Sequence, residues 1–190
     1  MSASLQRCGW VSETKPFYVK YHDEEWGVPV HDDIKMFEFL VLESFQAGLS
    51  WEIVLKKRDN FRKAFANFDF KKVANFGEKK VQELLQDAGI IRNQAKIRAA
   101  INNAQRYLEV IEESGDFCSY FWKFSNGKPI HNTFETLSHI PASTPLSDKI
   151  SKHLKARGFK FMGTTVVYAH MQGVGMVNDH LKTCFRYSEV

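Results

Sequence analysis

The feature that most constrains this chain is an apolar period of 3.6 residues that recurs along most of its length, while the two-residue alternation of a half-buried strand is scarcely visible. Between residues 33 and 47, Ile34, Phe37, Leu40, Val41 and Phe45 fall on one helical stripe, and Asp32 and Asp33 stand where a helix is capped. Further helical patterns cover 51–66, 71–73, 78–86, 93–114, 117–124, 147–156 and 164–173. Breakers fall between them at Gly77, Gly89, Gly115, the Asn126-Gly127 pair, Pro141, Pro145 and Gly158, so connections are short. An all-α fold follows. The 190 residues suffice for one compact domain, or for two helical lobes sharing a core, and 141–145 is the one plausible seam.

Composition then removes function classes. No run approaches the roughly 18 apolar residues of a membrane span. The first ten residues have neither an apolar core nor a small-residue cleavage site after it, so a cytosolic address is expected. The three cysteines, Cys8, Cys118 and Cys184, make an odd count that argues against a disulfide framework and leaves metal ligation or burial; Cys118 is expected in the core. A net charge of +4 suits a polyanionic partner without requiring one. With 16 Phe and 4 Trp, the aromatic share exceeds what a small helical core uses, so some rings are expected to line a pocket.

Three groups of residues carry chemistry. Cys8 and His22 near one end, with His180 and Cys184 near the other, make a complete tetrahedral zinc set without an open position; four ligands over so long a gap also read as two buried thiols and two incidental histidines. His180 and Cys184, four apart, would share one face of a helix or turn. The second group begins with the basic segment 147–157, continues through Gly158-Phe159-Lys160-Phe161-Met162-Gly163 and ends in a helix starting at Thr164, with threonine as its cap. This is the pattern of a helix-hairpin-helix over 158–163. Glycine lets backbone approach a phosphate, the helix start favours an anion, and Lys152, Lys155, Arg157 and Lys160 add positive charge. A plain αα-hairpin with a solvated basic face has the same pattern. The third group is Trp10, Tyr18, Tyr21, Trp26, Glu43 and Trp51. Tyr18 and Tyr21 lie in a stretch without clear periodicity, read as a loop. Glu43 borders the apolar stripe, either as a rim carboxylate paired with a lysine or as a pocket residue.

At these residues the chain resembles the DNA-3-methyladenine glycosylase I family. The resemblance runs through Cys8-Gly9-Trp10-Val11, TyrHisAspGluGluTrpGlyValPro at 21–29, LeuGluSerPheGlnAlaGlyLeuSerTrp at 42–51, AspAlaGlyIleIleArg at 87–92, GlyPheLysPheMetGlyThrThr at 158–165 and ValAsnAspHis at 177–180. It implies the helix-hairpin-helix DNA glycosylase fold, with a structural Zn2+ on Cys8, His22, His180 and Cys184 joining the N- and C-terminal segments. It further implies that Glu43 and Tyr21 hydrogen-bond the excised base, that Trp51 stacks on it, and that Trp26, Trp10 and Tyr18 wall the cavity. Gly158, Lys160, Gly163 and Thr164 would then hold DNA, while Gln46 and Leu49 fill the hole left by the flipped nucleotide.

The expected activity is monofunctional hydrolysis of the N-glycosidic bond of 3-methyladenine in double-stranded DNA, by a monomer in the bacterial cytosol. A purine methylated at N3 is cationic, so electron-rich rings and a carboxylate favour it over neutral adenine. Glu43 is the candidate catalytic residue. Relatives in the superfamily carry an Asp where Asn178 stands here, and Asp179, read as its neighbour on a helix, would point elsewhere, which leaves a general base unassigned. A non-catalytic DNA-binding module and a zinc hydrolase are the competing classes. The ends, 2–7 and 187–190, carry no functional signal and are expected to fray.

Overall fold

The computed structural model describes residues 5–190 and is built largely of helices. In chain order these are α1 (Pro16–Glu24), α2 (Asp33–Gln46), α3 (Trp51–Lys56), α4 (Arg58–Ala64), α5 (Phe70–Val73), α6 (Glu78–Gln86), α7 (Gln94–Ser114), α8 (Phe117–Trp122), α9 (Pro145–Ala156) and α10 (Thr164–Gly173). Single 3-10 turns lie at Ala66–Phe68, Lys123–Ser125, Leu137–His139 and Phe185–Ser188. Strands β1 (Ile130–His131) and β2 (Val177–Asn178) pair in parallel, Ile130 with Val177 and His131 with Asn178. Two residues each are too few to leave an alternation in sequence.

Helix α2 is the centre of the molecule. Every residue from Met36 to Phe45 is buried, not only the stripe that the period picks out, and a helix enclosed on all sides needs neighbours on all sides. Helices α3, α7, α8 and α10 supply them. Asp32 caps α2 by accepting the Lys35 amide at 2.7 Å. Asp33 reaches outward and accepts the amides of Phe117 and Cys118 at 3.3 and 2.9 Å, fixing the start of α8 against α2. Cys118 is buried there, as a core thiol. The longest helix, α7, is capped by Asn93 and stops at Gly115, whose φ of 91° ends it. Tyr107 on α7 stacks on Phe117 with centroids 3.9 Å apart and donates to the Asp33 carbonyl.

Local details depart from the periodicity. The expected helix at 51–66 is broken at Lys57 into α3 and α4, followed by a left-handed turn in which Ala66, Asn67 and Phe68 all have φ between 52° and 57°. The break accompanies the inward turn of Arg58 to meet Glu25 and Glu38. Tyr18 and Tyr21 lie not in a loop but on α1, a helix begun by Pro16 with no side-chain cap and with only Tyr21 and His22 buried, so its apolar signal is weak. Helix α10 is capped by Gly163, not Thr164; Thr164 is the first helical residue, and its hydroxyl lies 2.8 Å from that of Ser147 in the capping box of α9. One core cluster includes residues before and after the stretch 141–145, such as Phe121 and Met162.

The C-terminal end does not fray. Asn178 donates its side-chain amide to the carbonyls of Tyr187 and Val190 at 3.0 and 2.9 Å. Near the other end, Arg7 grips Asp23 at 2.7 Å. Residues 2–4 of the expected N-terminal tail lie outside the described residues. The chain that closes these ends passes Gly175, which has φ of 70°; a Cβ there would sit 2.3 Å from the Val28 carbonyl carbon. Only glycine fits so close a crossing of two backbones.

Candidate active site

A cavity of about 380 Å³ opens between α1, the middle of α2, the start of α3 and the inner face of α10. Its lining brings together Trp10, Tyr18, Tyr21, Trp26, Glu43 and Trp51, the entire aromatic and acidic group singled out in the sequence, together with Gln46. Leu137, Ile140, Ala169 and Gln172 complete it, and no sequence pattern marked them. Leu137 and Ile140 come from the irregular segment before α9, so only the path of the chain places them on the lining. The rings brace one another: Trp10 stands edge-on to Tyr18 at 5.3 Å and to Trp26 at 5.0 Å, and Tyr21 meets Trp51 at 5.3 Å.

Glu43 is not a rim residue. It is 3 % exposed, it pairs with no cation among the described residues, and its Oε2 is buried without a hydrogen-bond partner. Burial alone pushes its carboxyl up to about 8. The contrast with Glu38 on the same helix is instructive. Burial also opposes ionisation of Glu38, but Arg58 and Arg62 hydrogen-bond it at 2.9 and 2.8 Å and hold its carboxyl below the ordinary range. Those cations, with Lys35 and Glu25, border a second cavity of about 470 Å³ that shares Tyr21 but not Glu43. Its charges are paired with one another. In the first cavity the Nε1 atoms of Trp10 and Trp51 are likewise buried and unpartnered. Buried polar atoms without partners are rare in folded proteins. Three of them belong to residues on the lining of this one cavity.

Behind the cavity, Cys8, His22, His180 and Cys184 converge, all buried, with their ligand atoms within 4.8 Å of one another. Cys184 Sγ lies 3.5 Å from His22 Nε2 and 3.4 Å from His180 Nδ1, and Cys8 Sγ lies 3.6 Å from His180 Nδ1. The far ring nitrogens are also engaged: His22 Nδ1 with Asp23 at 2.7 Å, and His180 Nε2 with the Trp26 carbonyl at 3.0 Å. Acceptors at the far nitrogens leave the near ones as lone pairs, the tautomers a metal ion needs. Cys8, hydrogen-bonded to Cys184, is pushed up, while that same bond pushes Cys184 down. The four could therefore hold a metal ion. His180 and Cys184 lie in an irregular turn after β2, not on a helix. The cluster backs onto the rings, with Trp10 5.3 Å from His22 and Trp26 4.6 Å from His180.

Asn178 and Asp179 do not line the cavity. Asn178 ends β2 and ties the C-terminus; Asp179 follows it, off any helix, and accepts hydrogen bonds from Asn132, Tyr168 and Gln172. Two further loops carry residues singled out in the sequence. The 158–163 hairpin rests on α7, where the Asn103 side chain accepts the Lys160 amide at 2.7 Å and donates to the Lys160 carbonyl at 2.9 Å. Gly158 takes φ of 86°; Lys152, Lys155 and Lys160 are exposed, whereas Arg157 is occupied by Glu113 at 2.7 Å. The 46–50 loop carries Gln46 at the cavity and Leu49, 38 % exposed, beside it. Lys96 on α7 holds that loop by donating to the carbonyls of Phe45 and Ala47 at 2.8 and 2.5 Å. Neither Asn103 nor Lys96 was legible in sequence, because each acts on backbone far away in the chain.

The methyladenine glycosylase family matches residues 10–187. The DNA-3-methyladenine glycosylase 1 of Escherichia coli (strain K12) is 52 % identical over 183 residues, 96 % of this chain and 97 % of that protein. The DNA-3-methyladenine glycosylase of Haemophilus influenzae is 46 % identical over 178 residues, 94 % of this chain and 96 % of that one. Among solved structures, the 3-methyladenine DNA glycosylase I of Staphylococcus aureus, described for its recognition of 3-methyladenine, superposes with a TM-score of 0.91 at 34 % identity, covering 96 % of this chain and 97 % of its own. A match across nearly the whole length in both directions leaves one conclusion: this chain belongs to the methyladenine glycosylase family of DNA glycosylases.

Proposed function

We propose that this protein removes 3-methyladenine from alkylated double-stranded DNA by hydrolysing its N-glycosidic bond, releasing the free base and leaving an abasic site. The observation that carries the reading is Glu43, a sealed carboxyl without a counter-cation among aromatic walls. A cationic ligand supplies the missing charge. On binding, the positive base favours the ionised form of Glu43, and the gain is largest where water is excluded. Neutral adenine offers no such gain. Trp51 is assigned as the stacking ring, Tyr21 as the second hydrogen-bonding group, and Trp10, Tyr18 and Trp26 as walls. A cationic purine is already a good leaving group, so binding and orientation carry most of the acceleration and a dedicated water-activating base is not required.

The DNA side of the proposal uses both of these loops. The 158–163 hairpin, read as a helix-hairpin-helix, takes backbone phosphate at Gly158, Lys160, Gly163 and Thr164. Gln46 and Leu49 enter the duplex where the nucleotide has left it. Zinc is the metal that suits two thiolates and two imidazoles in a closed tetrahedral set, and its role is structural: it staples the ends of the chain and supports Trp10 and Trp26. The protein is taken to act as a monomer on chromosomal DNA in the cytosol. Incubation with methylated DNA tests the reading. Free 3-methyladenine should appear with the unaltered chain, and Glu43→Gln should slow its release by at least tenfold while leaving the fold intact; a chain that binds DNA and releases no base would be a binding module instead.

A further inference from the structure

Gln172 lines the cavity from α10, and its side chain is oriented by a neighbour. Its Nε2 lies 2.8 Å from Asp179 Oδ2. Asp179 is 1 % exposed; the Tyr168 hydroxyl donates to the same oxygen at 2.6 Å, and Asn132 Nδ2 donates to the other at 2.6 Å. A carboxylate ringed by donors offers only acceptor sites, so the Gln172 amide has to turn its nitrogen toward it. The backbone of Gln172 is pinned too, its carbonyl accepting from Gly27 at 3.0 Å. What remains is Oε1, which forms no hydrogen bond to another described side chain or backbone group and, on a half-buried residue, is open to a ligand in the cavity.

We infer that Gln172 Oε1 presents a fixed hydrogen-bond acceptor to the cavity, and that the Asp179–Gln172 pair thereby selects purines with an amino group at the 6-position over purines with an oxo group there. The inference rests on the base-binding reading above and adds a specificity element to it. Glu43 does not secure this choice by itself. With its carboxyl pushed up to about 8 by burial, it is protonated in the empty cavity at neutral pH and is able to donate to a carbonyl as well as accept from an amine. An amide oxygen has no such alternative. A 6-oxo purine in the same pose sets lone pair against lone pair and covers Oε1 without satisfying it, whereas a 6-amino purine satisfies it. Asp179 is a positioning residue here, acting through Gln172 and not on the base.

The test follows release of 3-methyladenine and of 3-methylguanine, a 6-oxo purine, from the same methylated DNA by the full chain. Gln172→Met keeps length and bulk without the acceptor. It should lower kcat/KM for 3-methyladenine by roughly tenfold, the equivalent of one lost charge-assisted hydrogen bond, and narrow the preference over 3-methylguanine by a similar factor. Asp179→Asn, which leaves Gln172 in place but free to turn, should narrow it in the same direction. Titration with the free bases, read by fluorescence of the tryptophans that line the cavity, gives the same comparison without catalysis and shows whether each variant is folded. An unchanged preference in folded Gln172→Met, or an equal fall for both bases, overturns the inference while leaving the glycosylase reading standing. Failure of the unaltered chain to release any methylated purine overturns both.

Discussion

Glu43 pays for its proposed role in stability, and the sign of the effect is testable. A carboxyl whose folded-state pKa is raised from 4.5 to about 8 contributes full stability below 4.5 and loses it as pH rises toward 8, because the unfolded chain ionises while the folded one stays protonated. At pH 7 that difference is on the order of 3 kcal/mol. Glu43→Gln should therefore raise the melting temperature at pH 7 to 8 and do little at pH 4, while base release falls. A variant that melts lower at pH 8 would show that the carboxyl is compensated by something not seen in the fold. His170 poses the opposite case. It is fully buried on α10 with neither ring nitrogen partnered, and burial depresses it from 6.5 to about 3. Stability from such a group is complete above 6.5 and drains as pH falls toward 3, since only the unfolded chain takes the proton. About 2 kcal/mol should be lost between pH 7 and pH 5, and His170→Leu should remove most of that slope in denaturant titrations at the two pH values.

At the scale of elements, α7 emerges as the strut of the side proposed to face DNA. Lys96 near its start holds the 46–50 loop, and Asn102 and Asn103, about two turns on, hold the hairpin. The seven-residue spacing keeps Lys96 and Asn103 on one face of the helix, with Asn102 beside that face. Asn103 is fully buried, and its paired bonds to Lys160 mimic a strand partner, fixing the hairpin where a glycine and a left-handed Phe161 make the backbone tight. Asn103→Ala leaves the Lys160 amide and carbonyl without partners and should cost about 1–3 kcal/mol of stability. Its functional signature should be a raised KM for methylated DNA, with affinity for the free base unchanged. Equal losses in both would instead place the hairpin in contact with the cavity. The sequence marked α2, α7 and α10 because their apolar period is long. It missed α1 and the break at Lys57, since short helices with few buried residues leave little period to read.

For the whole molecule, closure of the two ends behind the cavity is the organising event. The Cys8, His22, His180 and Cys184 cluster joins residues more than 150 positions apart, and the rings of Trp10 and Trp26 rest against it. If the proposed zinc is held there, one metal per chain should be found by native mass spectrometry. Cys184→Ser should release it and lower the melting temperature by roughly 10 °C, a few kcal/mol for a chain of this size. A variant that binds no metal and melts unchanged would reduce the cluster to packing. Periodicity and breakers determined that the chain is helical, and residue types together with the family resemblance nominated the rings, Glu43 and the four metal-competent side chains, because helix-forming pattern and motif chemistry are local properties. Tertiary structure decided the rest: that Arg58 and Arg62 neutralise Glu38 and not Glu43, that Asp179 faces Gln172 instead of the cavity, and that Leu137 joins its lining. Burial and pairing depend on which distant backbone arrives beside a residue, and that is settled only when the core packs.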